Sequence, residues 1–142
     1  KHPDAGSLVT LFMGGNGIGG GMVINGRLWT GASGYCSEVG FLPVYERLNK
    51  GSLGLPPAEH ISELYARLIQ IYAVTVNPHM MVLYRHPLLE GRLDEIRRLC
   101  ASYLPSKAIP SIELSYDYQQ DYEKGLFTVA KSMGQAVSEG GL

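Results

Sequence analysis

The chain has little of what usually classifies a protein at sight. Its two cysteines, Cys36 and Cys100, lie far apart and outside any CxxC spacing. Neither a disulfide framework nor a zinc knuckle is indicated, and both read as small core residues. Charge is almost balanced, 12 Lys and Arg against 13 Asp and Glu for a net −1, so there is no electrostatic footprint for nucleic acid or an anionic membrane. No apolar run approaches the ~20 residues that span a bilayer. No basic-then-apolar leader opens the chain, so a soluble, cytoplasmic protein without membrane contact is expected. An initiator Met is also missing: Lys1-His2-Pro3-Asp4-Ala5-Gly6 runs at once into an apolar segment, which leads us to expect a fragment of something longer.

Glycine, by contrast, is abundant and concentrated. Gly14-Gly15-Asn16-Gly17-Ile18-Gly19-Gly20-Gly21 places six glycines in eight residues between two strand-like runs. So little side chain lets backbone N–H groups come close to a ligand, and phosphate is the usual beneficiary. A tight hairpin would use the same glycines. On these residues alone both readings stand.

At 142 residues the chain is the size of one domain able to bury its own core. Strand-like runs at 7–13 and 18–24 are followed by Asn25-Gly26, a strong hairpin signal, and Arg27 to Thr30 pairs back as a third strand. From Gly31 to Leu55 no period is sustained, and this reads as a long loop. Pro56-Pro57 opens a helix carrying Ile61, Leu64, Tyr65, Leu68 and Tyr72, which ends near Asn77-Pro78. Met80 to Tyr84 is a buried strand. Leu89, Leu93, Ile96, Cys100 and Tyr103 mark an amphipathic helix, Ile109 to Leu114 another strand, and Leu126, Val129, Met133 and Val137 a last helix. The expected class is α/β: a mixed sheet of about five strands, a three-stranded antiparallel meander followed by βα units, with helices packed on it.

This layout resembles one lobe of the actin-like, ribonuclease H-like ATPases. There the glycine-rich turn between the first two strands of the second lobe faces the nucleotide phosphates across a cleft. Residues 8–41, LVTLFMGGNGIGGGMVINGRLWTGASGYCSEVGF, resemble more specifically the ROK family of bacterial repressors and sugar kinases. Gly15, Gly17, Gly19 and Gly21 match its GTGIGAGIV-type turn, with Asn16 in place of the usual threonine. Asn25-Gly26, Gly31, Ala32, Ser33, Gly34, Glu38, Val39 and Gly40 match its GxLxxGASGxAGEIGH-type segment. Thinner but collinear agreement follows, in Asn77-Pro78 before a strand and in Gly125 with Ala130.

The resemblance implies a single domain, 1–142, equivalent to the family's carboxy-terminal lobe. It implies phosphate contact by Gly15, Asn16, Gly17 and Gly19, and a sugar pocket shaped by Gly31, Ala32, Ser33 and Gly34. Glu38 would accept hydrogen bonds from sugar hydroxyls, a task that suits an acceptor-only carboxylate; the competing reading is a carboxylate that merely organises its loop. The chain departs from the family at three places. Phe41 replaces the histidine of the ExGH motif. The cysteine-rich zinc segment is absent, so no zinc site is expected. Tyr84-Arg85-His86 stands where a Gly-Gly pair would let adenosine pack on the backbone, and should obstruct it.

No catalytic residue is expected within this chain, since the family's catalytic aspartate and first phosphate loop belong to the other lobe. The leading expectation is the sugar-sensing lobe of a ROK-type transcriptional regulator. It would bind a sugar or sugar phosphate, reach DNA only through a missing amino-terminal module, and be able to self-associate through exposed cleft surface. The alternative is the carboxy-terminal lobe of an ATP-dependent hexose kinase, which alone would bring in ATP and magnesium. A third is a degenerate lobe that mediates assembly.

Other polar residues carry less signal. His79 and His86 flank a strand and read as edge or surface groups, and His2 and His60 as less still. The Tyr116 to Tyr122 run resembles a carbohydrate-stacking cluster but reads better as a helix entry capped by Asp117 or Asp121. Arg92, Arg97 and Arg98 alternate with Asp94 and Glu95, as on a solvated helix face.

Overall fold

A computed structural model describes residues 6–15, 17–48, 55–117 and 119–121. Strands β1 (Ser7–Gly14) and β2 (Gly17–Ile24) form an antiparallel hairpin. Asn25 and Gly26, at φ 50° and 75°, then turn the chain into β3 (Arg27–Leu28). Two successive residues at positive φ are what a tight hairpin of this hand requires. The expected strand to Thr30 is cut short: Trp29 still donates to the Met22 carbonyl at 2.8 Å, but Gly31 at φ 78° turns the chain away.

The segment expected as an unbroken loop holds a 3-10 turn (Val39–Phe41) and a helix, α1 (Pro43–Leu48). Proline starts that helix and Tyr45 and Leu48 bury its inner side. Six residues offer only these two buried positions, too few for a period to register.

Helix α2 (Ile61–Thr75) is the central element and is buried over most of its length. Asn77, in the left-handed region at φ 51°, ends it by donating its N–H to the Tyr72 carbonyl at 2.9 Å. Strand β4 (Met80–Tyr84) follows, then α3 (Leu93–Tyr103) and β5 (Ser111–Ser115). The helix expected from Leu89 begins four residues later, because Gly91 at φ 71° interrupts it; Leu89 stays buried from a preceding 3-10 turn. The expected last helix, with Gly125 and Ala130, lies outside the described residues.

The strands make one mixed five-stranded sheet in the order β3-β2-β1-β4-β5, with β1, β4 and β5 parallel. Strand alternation gives the sheet two unlike faces. Val9, Leu11, Met13, Met22, Met81 and Leu83 share the face that packs on α2 and α3 in the core. The two helices are tied by the buried Ser62 hydroxyl, which donates to Glu95 Oε2 at 2.6 Å. No helix among the described residues is long and apolar enough to cross a membrane.

Candidate functional site

Pairing divides the glycine run into two parts with different causes. Gly14 pairs with Gly17, so the turn of the β1–β2 hairpin falls at Gly15, while Gly19, Gly20 and Gly21 sit inside β2. A side chain on Gly19 would run into the Phe12 ring opposite it. One on Gly20 would stand 3.0 Å from the Ser37 carbonyl oxygen and 3.2 Å from Ser37 Cβ, and one on Gly21 would stand 3.0 Å from Thr10 Oγ1. Close approach by neighbours therefore explains these three. Gly15 is different: it is exposed, and among the described residues nothing lies within 4 Å of where its Cβ would be. Of the four candidate phosphate residues, Gly15 and Gly17 are at the turn, Gly19 is within the ladder, and Asn16 lies outside the described residues.

The neighbour that demands Gly20 is the segment bearing Glu38. Gly31 and Gly34 take φ of 78° and 79°, and Ser37 holds 69°. The loop is closed by the Cys36 N–H on the Thr30 carbonyl at 3.1 Å and by the Val39 N–H on the Ser37 carbonyl at 2.9 Å. Ser37 also hydrogen-bonds the Tyr72 side chain, and Val39 is anchored in the core. Burial pushes the Tyr72 hydroxyl above its ordinary range, while the Ser37 bond pulls the other way. So fixed, the loop leaves Ala32, Ser33, Gly34 and Glu38 exposed. Because Ser37 rests on Gly20, three residues from Gly17, the Glu38 loop and the hairpin turn lie roughly 10 Å apart along one strand at ~3.4 Å per residue.

Two aromatic rings accompany Glu38. Tyr35 and Phe41 are 68% and 74% exposed, and their ring centroids lie 6.1 Å apart with planes tilted by 57°. The Glu38 N–H donates to the Tyr35 carbonyl at 3.2 Å and the Phe41 N–H to the Glu38 carbonyl at 3.1 Å, which puts the carboxylate-bearing residue at the hinge between them. Sequence reasoning saw in Phe41 only the loss of a histidine. The pair was findable, since both aromatics stand three residues from Glu38.

The carboxyl ends of β1, β4 and β5 share one edge of the sheet, the usual place for ligands in α/β folds. This edge brings the hairpin turn toward the Tyr84-Arg85-His86 segment. Arg85 bonds Glu90 at 2.6 Å and lies over the Tyr116 ring at 5.6 Å. Tyr84 donates its hydroxyl to Asp121 at 3.0 Å. His86 Nδ1 accepts from the Leu88 N–H at 3.1 Å and so caps a turn.

The remaining candidates are placed elsewhere. His79 sits at the opposite edge, bonded to Ser7 at 3.0 Å, and His60 lies beside Glu59 at 3.9 Å. His2, Tyr118 and Tyr122 lie outside the described residues; the Asp121 N–H donates to the Asp117 carbonyl at 2.9 Å, as at a helix entry. Arg97 and Arg98 pair with Asp94 and Glu95 at 3.8 and 4.0 Å on the exposed face of α3. Cys100 is in the core with its thiol toward the Ala66 carbonyl, and Cys36 is half-buried in the Glu38 loop. Among the described residues no group of three or more His, Cys, Asp and Glu side chains gathers as a metal site would.

No family model matches this sequence, and no curated protein matches it. Solved structures do. A ROK family protein from Streptococcus pneumoniae TIGR4 in complex with sucrose matches with a TM-score of 0.60 at 17% identity, over 81% of this chain and 55% of that one. The ROK hexokinase from Thermus thermophilus matches with a TM-score of 0.55 at 17% identity, over 80% of this chain and 53% of that one. The α/β fold, with its mixed five-stranded sheet, is thus the fold found in ROK proteins. The chain spans about half the length of the solved structures it matches.

Proposed function

We propose that this chain is the carboxy-terminal, sugar-sensing lobe of a ROK-type transcriptional regulator. The observation that carries the reading is the built seat of the Glu38 loop: β2 gives up a side chain at Gly20, and Ser37 rests on that spot at 3.0 Å. Ser37 at φ 69° is costly to hold for a residue with a side chain, Gly31 and Gly34 reach the same region freely, and together they present Glu38 and the small Ala32-Ser33-Gly34 tip outward. A carboxylate on a fixed loop is suited to vicinal hydroxyls. The Streptococcus pneumoniae neighbour, which has this fold, is in complex with a sugar.

The regulator is favoured over a phosphoryl-transfer enzyme by the sheet edge. Arg85, Glu90 and Tyr116 stand there as paired, largely exposed side chains, in place of the Gly-Gly pair on which, by the family resemblance, an adenosine would pack. The residues present do not fit a cysteine-held zinc, as one of the two cysteines is consumed by the core. Sugar binding would act by favouring one arrangement of this lobe against the rest of the protein. A hexose kinase lobe is the second reading, favoured by the open turn at Gly15, which no neighbour among the described residues requires to be glycine.

Isothermal titration of the full-length protein with hexoses and with magnesium and ATP separates the two. The regulator reading expects sugar binding, abolished by Glu38→Gln, and no heat from the nucleotide. Magnesium-dependent ATP binding with phosphorylation of a hexose would replace it by the kinase.

A further inference from the structure

The Tyr35–Phe41 pair has no role in the reading so far, and large exposed aromatics held together are uncommon away from binding surfaces. Both rings are mostly open to solvent and lie beside each other, 6.1 Å apart. Their backbones are joined through Glu38 by two hydrogen bonds, of 3.2 and 3.1 Å. The loop beneath them is held by Ser37 on Gly20. Loop and rings thus form one preorganised unit, and a ligand meeting it has little ordering left to induce.

The charge around this unit is equally informative. From Leu28 to Tyr45 the sequence contains no Lys, Arg, His or Asp, and Glu38 is its only ionised side chain. A phosphorylated sugar meeting this segment would bring negative charge toward the Glu38 carboxylate, and the basic residues nearest in sequence, Arg27 and Arg47, lie outside the segment. A neutral pyranose offers what the surface can use, with C–H groups on one face for the aromatic rings and hydroxyls at the rim for the carboxylate.

We propose that Tyr35 and Phe41 are a stacking platform that makes the Glu38 site selective for neutral hexopyranosides over hexose phosphates. The proposal rests on the sugar-binding reading above and adds to it the ligand class and two specificity residues. Phe41, on this account, supplies an apolar contact to the ring of the sugar, and Glu38 fixes its orientation.

The test uses the full-length protein, titrated with methyl glucoside, methyl galactoside and the corresponding hexose 6-phosphates. It is repeated for Phe41→Ala, Tyr35→Ala, Phe41→Tyr and Glu38→Gln. At such exposed positions the variants should keep the parent's unfolding midpoint, which is measured alongside. The expected result is binding of a neutral glycoside in preference to its phosphate. Phe41→Ala and Tyr35→Ala should each weaken it roughly three- to tenfold, with Phe41→Tyr within about twofold of the parent. Saturation-transfer NMR with the aromatic protons irradiated should then mark the pyranose C–H protons of one face.

If Phe41→Ala and Tyr35→Ala bind the glycoside like the parent while Glu38→Gln loses it, the platform is wrong and the sugar site stands. Tighter binding of the hexose phosphate overturns the ligand class. If no sugar binds and Phe41→Ala instead shifts the sedimentation of the protein to a smaller species, the rings are a self-association surface. In that case both proposals fall, as they also do if no sugar binds and sedimentation is unchanged.

Discussion

The carbonyl oxygen of Ser37 lies 3.0 Å from the point where a Cβ on Gly20 would stand. The contact joins a strand of the sheet to the loop that presents Glu38, and neither side of it can move freely. Gly20 is held by its pairing with Leu11, and Ser37 by its bonds to Val39 and Tyr72. Gly20→Ala must therefore lift the loop or bend the strand. We expect a loss of about 1–3 kcal/mol, the usual cost of overpacking, read as a lower urea midpoint, together with loss of sugar binding. Unchanged stability and binding would mean that the loop does not depend on this seat.

Gly15→Ala is the matching control. The position is exposed, and no described residue lies within 4 Å of its would-be Cβ, so stability should stay within about 0.5 kcal/mol of the parent. Any loss of anion binding in this variant, measured by titration with a sugar phosphate or with ATP, is then a loss of close approach at the turn rather than of folding. A substantial fall in the urea midpoint would contradict the separation of turn from strand glycines.

The two thiols should differ sharply in reactivity. Burial pushes the Cys100 thiol up to about 11 and leaves it no solvent exposure, whereas Cys36 is half-buried in the loop. The thiolate is the nucleophile, so iodoacetamide at pH 8 should label Cys36 in the native protein and Cys100 only after denaturant is added. Peptide mapping by mass spectrometry reads the two sites separately. Equal native labelling would place Cys100 outside the core.

These predictions divide along the same line as what the sequence made legible. The order of strands and helices could be read because apolar residues recur at periods of two and 3.6 over enough positions, as from Ile61 to Tyr72. Helix α1 could not, since Tyr45 and Leu48 are its whole buried side. The glycine run was visible at once, but its division between turn and packing was not. That depends on Phe12, Thr10 and Ser37 arriving from elsewhere in the chain, and a run of identical residues carries no mark of which neighbour each one serves. The motif gave Glu38, while the pairing of Tyr35 with Phe41 needed the loop's backbone bonds to bring the rings together.

Tyr65 offers the clearest test of the core. It has no solvent exposure, and among the described residues its hydroxyl has no hydrogen-bond partner, an arrangement that costs stability because the group left water without a new bond. Tyr65→Phe should thus be neutral or stabilising by about 1 kcal/mol. The same burial raises the Tyr65 hydroxyl above its ordinary value near 10, as it does, first among the causes, for Tyr45 and Tyr72. Above pH 10 the unfolded chain releases these protons while the folded protein keeps them. The unfolded state then binds fewer protons, and stability falls as pH rises. The contribution is fully present below pH 10 and is lost progressively above it. Urea midpoints measured from pH 8 to 11 should be flat at first and then decline, with a shallower decline for Tyr65→Phe because one of the raised groups is gone. Identical slopes for parent and variant would mean that the Tyr65 hydroxyl ionises in the folded state as readily as in the unfolded one, and the packing of α2 against Tyr45 would have to be revised.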